Sequence, residues 1–364
     1  MKLKKIYNRI KFISRTPADI SKIVRGQSYY PEKERKSSPT IFLDNLLWII
    51  KNKEVNYFYN SNGLDIKNWR SPDEFLPDMK FRRERESGNS CKNEKFNYNY
   101  IAMLRDKYVF ASYLSYVIGE DKVVPTIALY NNEEVYLLSE HTYISLEDFF
   151  QEDTKVFCKI INGEGSEEVF ILEKKEGNYF LNSKKTTLSE LKLKMKDSKY
   201  IFQDVIQQHE SLNKINDSSV NTIRITTVRG ASGKINILNS FLRLGSTKDS
   251  FVDNVKTGGL AVGIDDSGLL RKYGFYDVPF GTKVEQHPIS NTVFEGYQLP
   301  YWDEVKDLVE KAHKQFYYVQ SIGWDVAITP NGPILIEGND NWGSIPSQIV
   351  EGGLKEKWYE LKNA

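Results

Sequence analysis

Hydrophobic positions change their spacing twice along this chain of 364 residues. Up to about residue 75 apolar residues recur at helical intervals, which predicts a mainly helical front closed by the breaker-rich NSNGLD and RSPDEFLPD. IFLDNLLWII, from Ile41, is interrupted by Asp44 and Asn45 and reads as a core helix. FRRERESGNSCKNEKFNYNY, from Phe81, is charged and short of aliphatic residues, which predicts a linker or mobile loop. MLRDKYVFASYLSYVIG restores the helical period and leads into runs of strand length: VVPTIALY, EVYLLS, KVFCKII and EVFILEKKEGNYFLN. A helix over TTLSELKLKM and a strand over YIFQDVIQQ follow.

Beyond Ser219 the strands lengthen. SVNTIRITTVRG and KINILNSFLRLG flank an Ala-Ser-Gly turn and predict a hairpin. After the Gly-rich DNVKTGGLAVGIDDSG comes a helix over WDEVKDLVEKAHKQFYYV, then a last hairpin, GWDVAITPNGPILIEGN, from Gly323 to Asn339. No internal repeat is present. The pattern predicts an α+β chain in three parts: a helical N-terminal region with a polar linker over 1–100, a small lobe over 101–205, and a larger lobe over 206–364.

The last hairpin carries Asp325, Glu337 and Asn339 in strands that are otherwise apolar. A three-residue loop of Pro330, Asn331 and Gly332, closed by Thr329 and Pro333, sets Asp325 directly opposite Glu337, with Asn339 on the same face. Facing carboxylates repel. A divalent cation between them reverses that sign, and three hard oxygen donors suit magnesium rather than zinc or copper. The residues alone leave the other reading open, a polar solvated sheet face without an ion.

Composition narrows the class. Hydrophobic residues make up 40% of the chain and aromatics 13%, which is enough for real cores and too much for a disordered protein. Net charge is +1, so bulk electrostatics gives no reason to expect a nucleic-acid partner. The two cysteines, Cys91 and Cys158, are far apart, which excludes a disulfide framework or cysteine-rich zinc site and suits a reducing cytoplasm. No run of about 18 apolar residues exists to make a transmembrane segment. The opening MKLKKIYNRIKFISR interleaves six basic residues with Leu3, Ile6, Tyr7, Ile10 and Phe12. It reads either as the solvated face of an ordinary helix or as a basic amphipathic segment able to touch an anionic membrane weakly.

Two further groups carry chemistry. In KIINGEGSEEVF a strand ends in Lys159, and a loop with Gly163, Gly165 and Ser166 precedes the next strand. Such a loop can fold over phosphates with the lysine as a point charge, or be an ordinary Gly-rich turn. The larger lobe holds Asn221, Arg224, Arg243, Asp253 and Asn254, followed by Gly258 and Gly259. Guanidinium groups in apolar strands are either in ion pairs or facing an anion. His287, before Pro288, is a candidate substrate contact or a turn support. No HExxH, Walker, nucleophile-elbow or Rossmann pattern occurs.

In order, Lys159, the EGS loop, YIFQDVI, Arg224, Arg243, DNVKTGG and D(x11)ExN resemble the ATP-grasp superfamily. Its glutathione synthetases and ribosomal-protein glutamate ligases show the same order. SVNTIRITTV, DNVKTGG, HPIS with FEGYQLPYW, and GWDVAITPNGPILIEGN are most similar to its sugar-transfer-associated group, over roughly residues 101 to 350. The resemblance implies two α+β lobes holding ATP between them. It implies phosphate binding by Lys159 and Lys107, adenine contacts from the strand Gln203, Asp204, Val205 and Ile206, and magnesium on Asp325, Glu337 and Asn339. Arg224 and Arg243 would face the reacting groups, with Asn254, Gly258 and Gly259 lining the same site. Where many relatives carry Glu early in the hinge strand, this chain has Gln203-Asp204. The implied activity is a cytoplasmic carboxylate–amine ligase working through an acylphosphate on small-molecule carboxylate and amine substrates. The implied setting is surface-polysaccharide synthesis, with a sugar acid or sugar-linked acceptor as substrate. An ATP-dependent phosphotransferase and a non-catalytic scaffold are the alternatives.

Overall fold

The strand-length runs pair into two large antiparallel sheets, beside a two-stranded ladder of Lys92–Asn93 with Tyr98–Asn99. The computed structural model describes residues 15–93, 95, 98–163, 169–247, 258–276 and 282–364. Among them, eight strands form the first large sheet, in the spatial order Thr142–Ser145, Glu134–Leu137, Thr126–Asn131, Tyr200–Gln203, Thr154–Ile160, Phe170–Lys175, Asn178–Leu181 and Lys184–Thr186. Period-two alternation puts Tyr130, Val156, Cys158, Phe170, Tyr200 and Phe202 on one face of it. That face is covered by Leu191 and Met195 of the helix Leu188–Met195, whose first turn is closed by a Thr187–Glu190 capping box.

Seven strands form the second large sheet: Lys283–Val284, Leu270–Tyr276, Leu260–Ile264, Ile235–Leu244, Ile223–Arg229, Ser321–Thr329 and Gly332–Asn339. The helix Trp302–Lys314 buries Val305, Leu308, Val309 and Ala312 at helical spacing against Ile223, Ile225, Trp324 and Val326. Residues 101–123, read from the sequence as the start of the small lobe, contribute Ile101, Leu104, Phe110 and Leu114 to this same core. The two sheets meet at the last hairpin. Val124 N–H donates to the Leu335 carbonyl at 3.2 Å, and His209 N–H to the Ile328 carbonyl at 2.8 Å, on either side of the first sheet's central strands.

Two expectations for the front of the chain need correction. The first part of the segment from Phe81 is no linker: Asp78–Asn89 is a helix whose buried stripe is Phe81, Arg85 and Asn89. Two of those three positions are polar, so the hydrophobic pattern hides them. Phe81 packs edge-on against Trp342 and Trp358, while Asn89 Nδ2 donates to the carbonyls of Ser321 and Asp340 at 2.9 Å. IFLDNLLWII forms the helix Ser38–Asn52, capped by Ser37, but only Ile41, Asn45 and Trp48 are buried. It is a surface helix with an apolar outer face. The basic run up to Ser14, and residues 94, 96 and 97, lie outside the described residues. No described helix is long and apolar enough to cross a membrane.

Candidate functional site

The last hairpin reaches its expected pairing by a different route. Thr329 pairs with Gly332, so the loop is the two residues Pro330 and Asn331, not three. Gly332 closes it at φ +114°, a conformation that favours glycine. That register alone would put Glu337 on the wrong face. A bulge between Asp325 and Val326 inserts Ile336 as an unpaired residue, and Glu337 then pairs with Asp325 and Asn339 with Gly323.

Neighbouring strands add cations to the same face. Arg224 pairs with Asp325 across one ladder and with Phe241 across the next, and Arg243 lies two residues beyond Phe241. Arg224 grips Asp325 with both Nε and Nη2, the latter at 2.9 Å, and Arg243 Nη2 reaches Asp325 Oδ2 at 2.8 Å. Arg243 is steadied by Thr222, whose hydroxyl accepts from Nε at 2.8 Å. Burial alone would raise the Asp325 carboxyl; the two guanidiniums outweigh it and hold the group well below the usual carboxylate range. Glu337 lies close enough to hydrogen-bond to Asp325, and its Oε1 accepts from Asn339 Nδ2 at 2.9 Å.

The first sheet supplies the opposite wall. Lys159 is buried on the strand Thr154–Ile160, two residues from Phe157 and on the same face. Burial lowers its ammonium to about 8, against the pull of Glu337 and Asp325 and with the push of Lys107. Lys107 opens the helix Lys107–Ile118 and donates from Nζ to the Gly163 carbonyl at 2.6 Å, tying down the start of the Gly-rich loop. Between the walls is a cleft of about 320 Å³, lined by both lysines, Arg243, Asp325 and Glu337 at one end. Val124, Phe157, Ile171, Val205, Ile206 and Ile336 supply apolar walls around Gln203 and Asp204. Gln203 is buried; its Nε2 donates to the Val124 carbonyl and to Thr126 Oγ1, both at 3.3 Å, and its Oε1 has no partner among the described residues.

Some sequence candidates fall elsewhere. Asn221 does not line the cleft: it is fully buried in an amide knot, accepting from Asn216 Nδ2 and donating to Gln208 Oε1 and the Asn216 carbonyl. The knot holds the segment 217–222, part of which does line the cleft. His287 is fully buried, its Nε2 on the Gly245 carbonyl at 2.7 Å and its Nδ1 facing the amides of Ile289 and Ser290. With both ring nitrogens engaged it supports its turn, and a substrate contact from it is corrected. Gly258 and Gly259 immediately precede the strand Leu260–Ile264 and are not among the cleft residues, nor are Arg224 and Asn339, which reach it only through Asp325 and Glu337. Gly165, Ser166, Asp253 and Asn254 lie outside the described residues.

Sequence reasoning missed the bracing behind the acidic hairpin. Arg105 pairs with Asp340 through two bonds of 2.9 and 2.8 Å, and Arg85 reaches Asn341 and the Trp342 carbonyl. These contacts join residues more than two hundred positions apart, which no local pattern announces. Among the described residues no group of three His, Cys, Asp or Glu side chains is placed to hold a metal. The hard-oxygen set is two carboxylates and one amide, and Asn339 Oδ1 accepts from no described residue. That chemistry fits magnesium, which readily keeps waters and substrate oxygens as further ligands.

Residues 91–363 match the family model described as sugar-transfer associated ATP-grasp. No curated protein matches the sequence. Similar solved structures include the N5-carboxyaminoimidazole ribonucleotide synthetase from Thermotoga maritima, 10% identical with a TM-score of 0.35, over 66% of this chain and 42% of that one. The D-alanine–D-alanine ligase from Bacillus anthracis is 15% identical with a TM-score of 0.36, over 71% and 67% of the two chains. An L-amino acid ligase from Bacillus licheniformis is 12% identical with a TM-score of 0.38, over 70% and 47%. The chain spans less than half the length of the first of these.

Proposed function

The chain belongs to the sugar-transfer associated ATP-grasp family, and on that premise we propose that it is an ATP- and magnesium-dependent ligase joining a carboxylate to an amine. One observation carries the reading: Lys107 and Lys159 of one wall meet Arg243, Asp325 and Glu337 of the other at one end of a single cleft, with Arg224 bonded to Asp325 and Asn339 to Glu337 beside it. Four basic side chains against two carboxylates leave that end with an excess of positive charge. The other two acids of the lining, Asp204 and Asp217, are exposed at its rim. Magnesium-bound ATP carries about two negative charges, which balances the excess.

In this reading the adenine lies against Phe157, Ile171 and Ile336, with Gln203 and the backbone of 204–206 facing its polar edge. Lys107 and Lys159 hold phosphate oxygens. Asp325, Glu337 and Asn339 would hold magnesium, which would supply positive charge against the phosphates. Asp325 and Thr222 hold Arg224 and Arg243 in place, which would spare them reorganisation as charge develops on the transferring phosphoryl group. A carboxylate oxygen of the substrate attacks the γ-phosphorus, the bond to the β-phosphate oxygen breaks, and ADP leaves. The amine nitrogen then attacks the acyl carbon, loses a proton, and expels phosphate. No nucleophilic side chain is needed.

We propose a cytoplasmic reaction in surface-polysaccharide assembly, with a sugar acid, an amino acid or a sugar-linked amine as substrate; the family description supports that class. The test is a screen of carboxylates against amines for ADP release with magnesium present. Release that requires both partners and yields an amide is expected. Release without amine, with a stable phosphorylated product, would favour phosphoryl transfer instead. ATP turnover and pathway function unchanged in Glu337→Gln would leave only a scaffold.

A further inference from the structure

Surface helices ordinarily turn apolar side chains inward and polar ones to water. The helix Ser38–Asn52 does not. Its buried stripe is Ile41, Asn45 and Trp48, and the opposite face presents Phe42, Leu43, Leu46, Leu47 and Ile50, each between 37% and 56% exposed. These five follow i, i+1, i+4, i+5, i+8 spacing and make one continuous stripe. No carboxylate interrupts it: Asp44 turns aside to pair with Lys36 and Tyr59. Lys51 and Lys53 stand at its C-terminal end.

We propose that this face docks on a membrane surface carrying anionic lipid headgroups. The argument for that occupant is charge. The fourteen residues preceding Arg15 contain Lys2, Lys4, Lys5, Arg9 and Lys11 and no acid, and the first carboxylate of the chain is Asp19. The described chain begins at Arg15, within electrostatic reach of Tyr57, which bonds Asp19 at 2.8 Å just past the end of the apolar helix. A basic stretch thus joins the fold beside an apolar face, the combination that lets a helix lie in the headgroup region while lysines meet anionic lipid. A second copy of the chain is a poorer occupant. Five side chains already about half exposed fall well short of the roughly 800 Å² per partner that a stable dimer buries. The proposal is independent of the reaction in the cleft.

The test is sedimentation of the full chain with vesicles of phosphatidylcholine alone and with about a third phosphatidylglycerol. Binding to the anionic vesicles, weakened by salt, is expected. Leu43→Asp with Leu47→Asp should reduce it about tenfold or more. Leu43→Asn with Leu47→Asn removes the apolar area without adding charge, and thermal melting checks that both variants fold. Lys4→Ser with Lys5→Ser should remove only the salt-sensitive part. Failure of the unaltered chain to bind either vesicle overturns the proposal, as does full binding by the asparagine variant. A dimer in solution that the Leu43 and Leu47 substitutions dissolve, without vesicle binding, would show that a second copy covers the face.

Discussion

Asp325 and Glu337 face each other across the last hairpin because Ile336 is bulged out of the ladder between them. A two-residue turn pairs Val326 with Leu335, and continuing that register would send Glu337 to the far face. One inserted residue brings two like charges together beside Arg224 and Arg243. Only Asp325 is matched by guanidinium. Glu337 is bonded by the Asn339 amide, and in the proposed reading it is the carboxylate that meets the ion.

Glu337→Gln therefore separates the metal from the fold. Removing one of two facing carboxylates should leave the metal-free protein as stable or about 0.2–1 kcal/mol more stable. Magnesium with nucleotide should raise the melting temperature of the unaltered protein and leave the variant unmoved. ATP turnover should fall by about 10²-fold or more. Melting curves with and without magnesium check the first two outcomes. A variant that still responds to magnesium would place the ion elsewhere.

Lys159 is a buried ammonium whose charge the apo protein holds at a disadvantage, since burial brings it down to about 8. Lys159→Met should leave the apo fold at least as stable and weaken ATP binding by about 10²-fold. The sign of the pH effect follows: only the protonated amine holds phosphate, so ATP affinity should fall as pH rises through about 8. The methionine variant should lose that dependence. Nucleotide titrations at several pH values measure both.

How much of this was legible beforehand depends on the kind of signal. Alternation and turn residues announced the strands from Ile223 to Leu244 and the last hairpin, and residue types singled out Arg224, Arg243, Asp325 and Glu337, which the fold brings side by side. The pairing of Asp325 with Glu337 was expected, yet from a three-residue loop; the bulge that produces it has no mark in PILIEGN. The helix Asp78–Asn89 was hidden because its buried stripe is Phe81, Arg85 and Asn89, with the polar pair bonded to Ser321, Asp340, Asn341 and Trp342. Periodicity finds faces that bury carbon. It cannot find a face that buries hydrogen bonds to distant backbone. The same limit explains His287 and Asn221, whose polar types suggested ligands and whose partners turned out to be the fold itself.

Gln203 offers a test of nucleotide choice. Its Nε2 faces the Val124 carbonyl, which can only accept, so the amide orientation is fixed and Oε1 is the unpartnered end. A buried acceptor without a donor costs about 1–3 kcal/mol until one arrives. The exocyclic amine of adenine can supply it; guanine presents an oxygen at that position. Gln203→Leu should raise the KM for ATP about tenfold and erase a preference for ATP over GTP, with little change in apo stability. Competition of the two nucleotides in the ADP-release assay reads the preference directly.

His313 sets an acid limit on the fold that is separate from the cleft. His313 Nε2 faces the Val319 carbonyl at 3.0 Å, which can only accept, so Nε2 carries the hydrogen. In the neutral ring Nδ1 then accepts from the Thr227 hydroxyl at 2.6 Å, which itself accepts from Trp324 Nε1 at 2.8 Å. Burial lowers its pKa from 6.5 to about 4. The unfolded chain therefore binds a proton near pH 6.5 that the folded chain refuses until about pH 4. Stability from this group is complete above pH 6.5 and is lost as pH falls to about 4, by roughly 3 kcal/mol in all. His313→Gln is expected to lower stability at neutral pH, because the Thr227 chain is disturbed, and to flatten the decline over that window. Urea unfolding at a series of pH values measures both slopes. Equal slopes would mean that the ring titrates alike in both states and that burial does not hold it neutral.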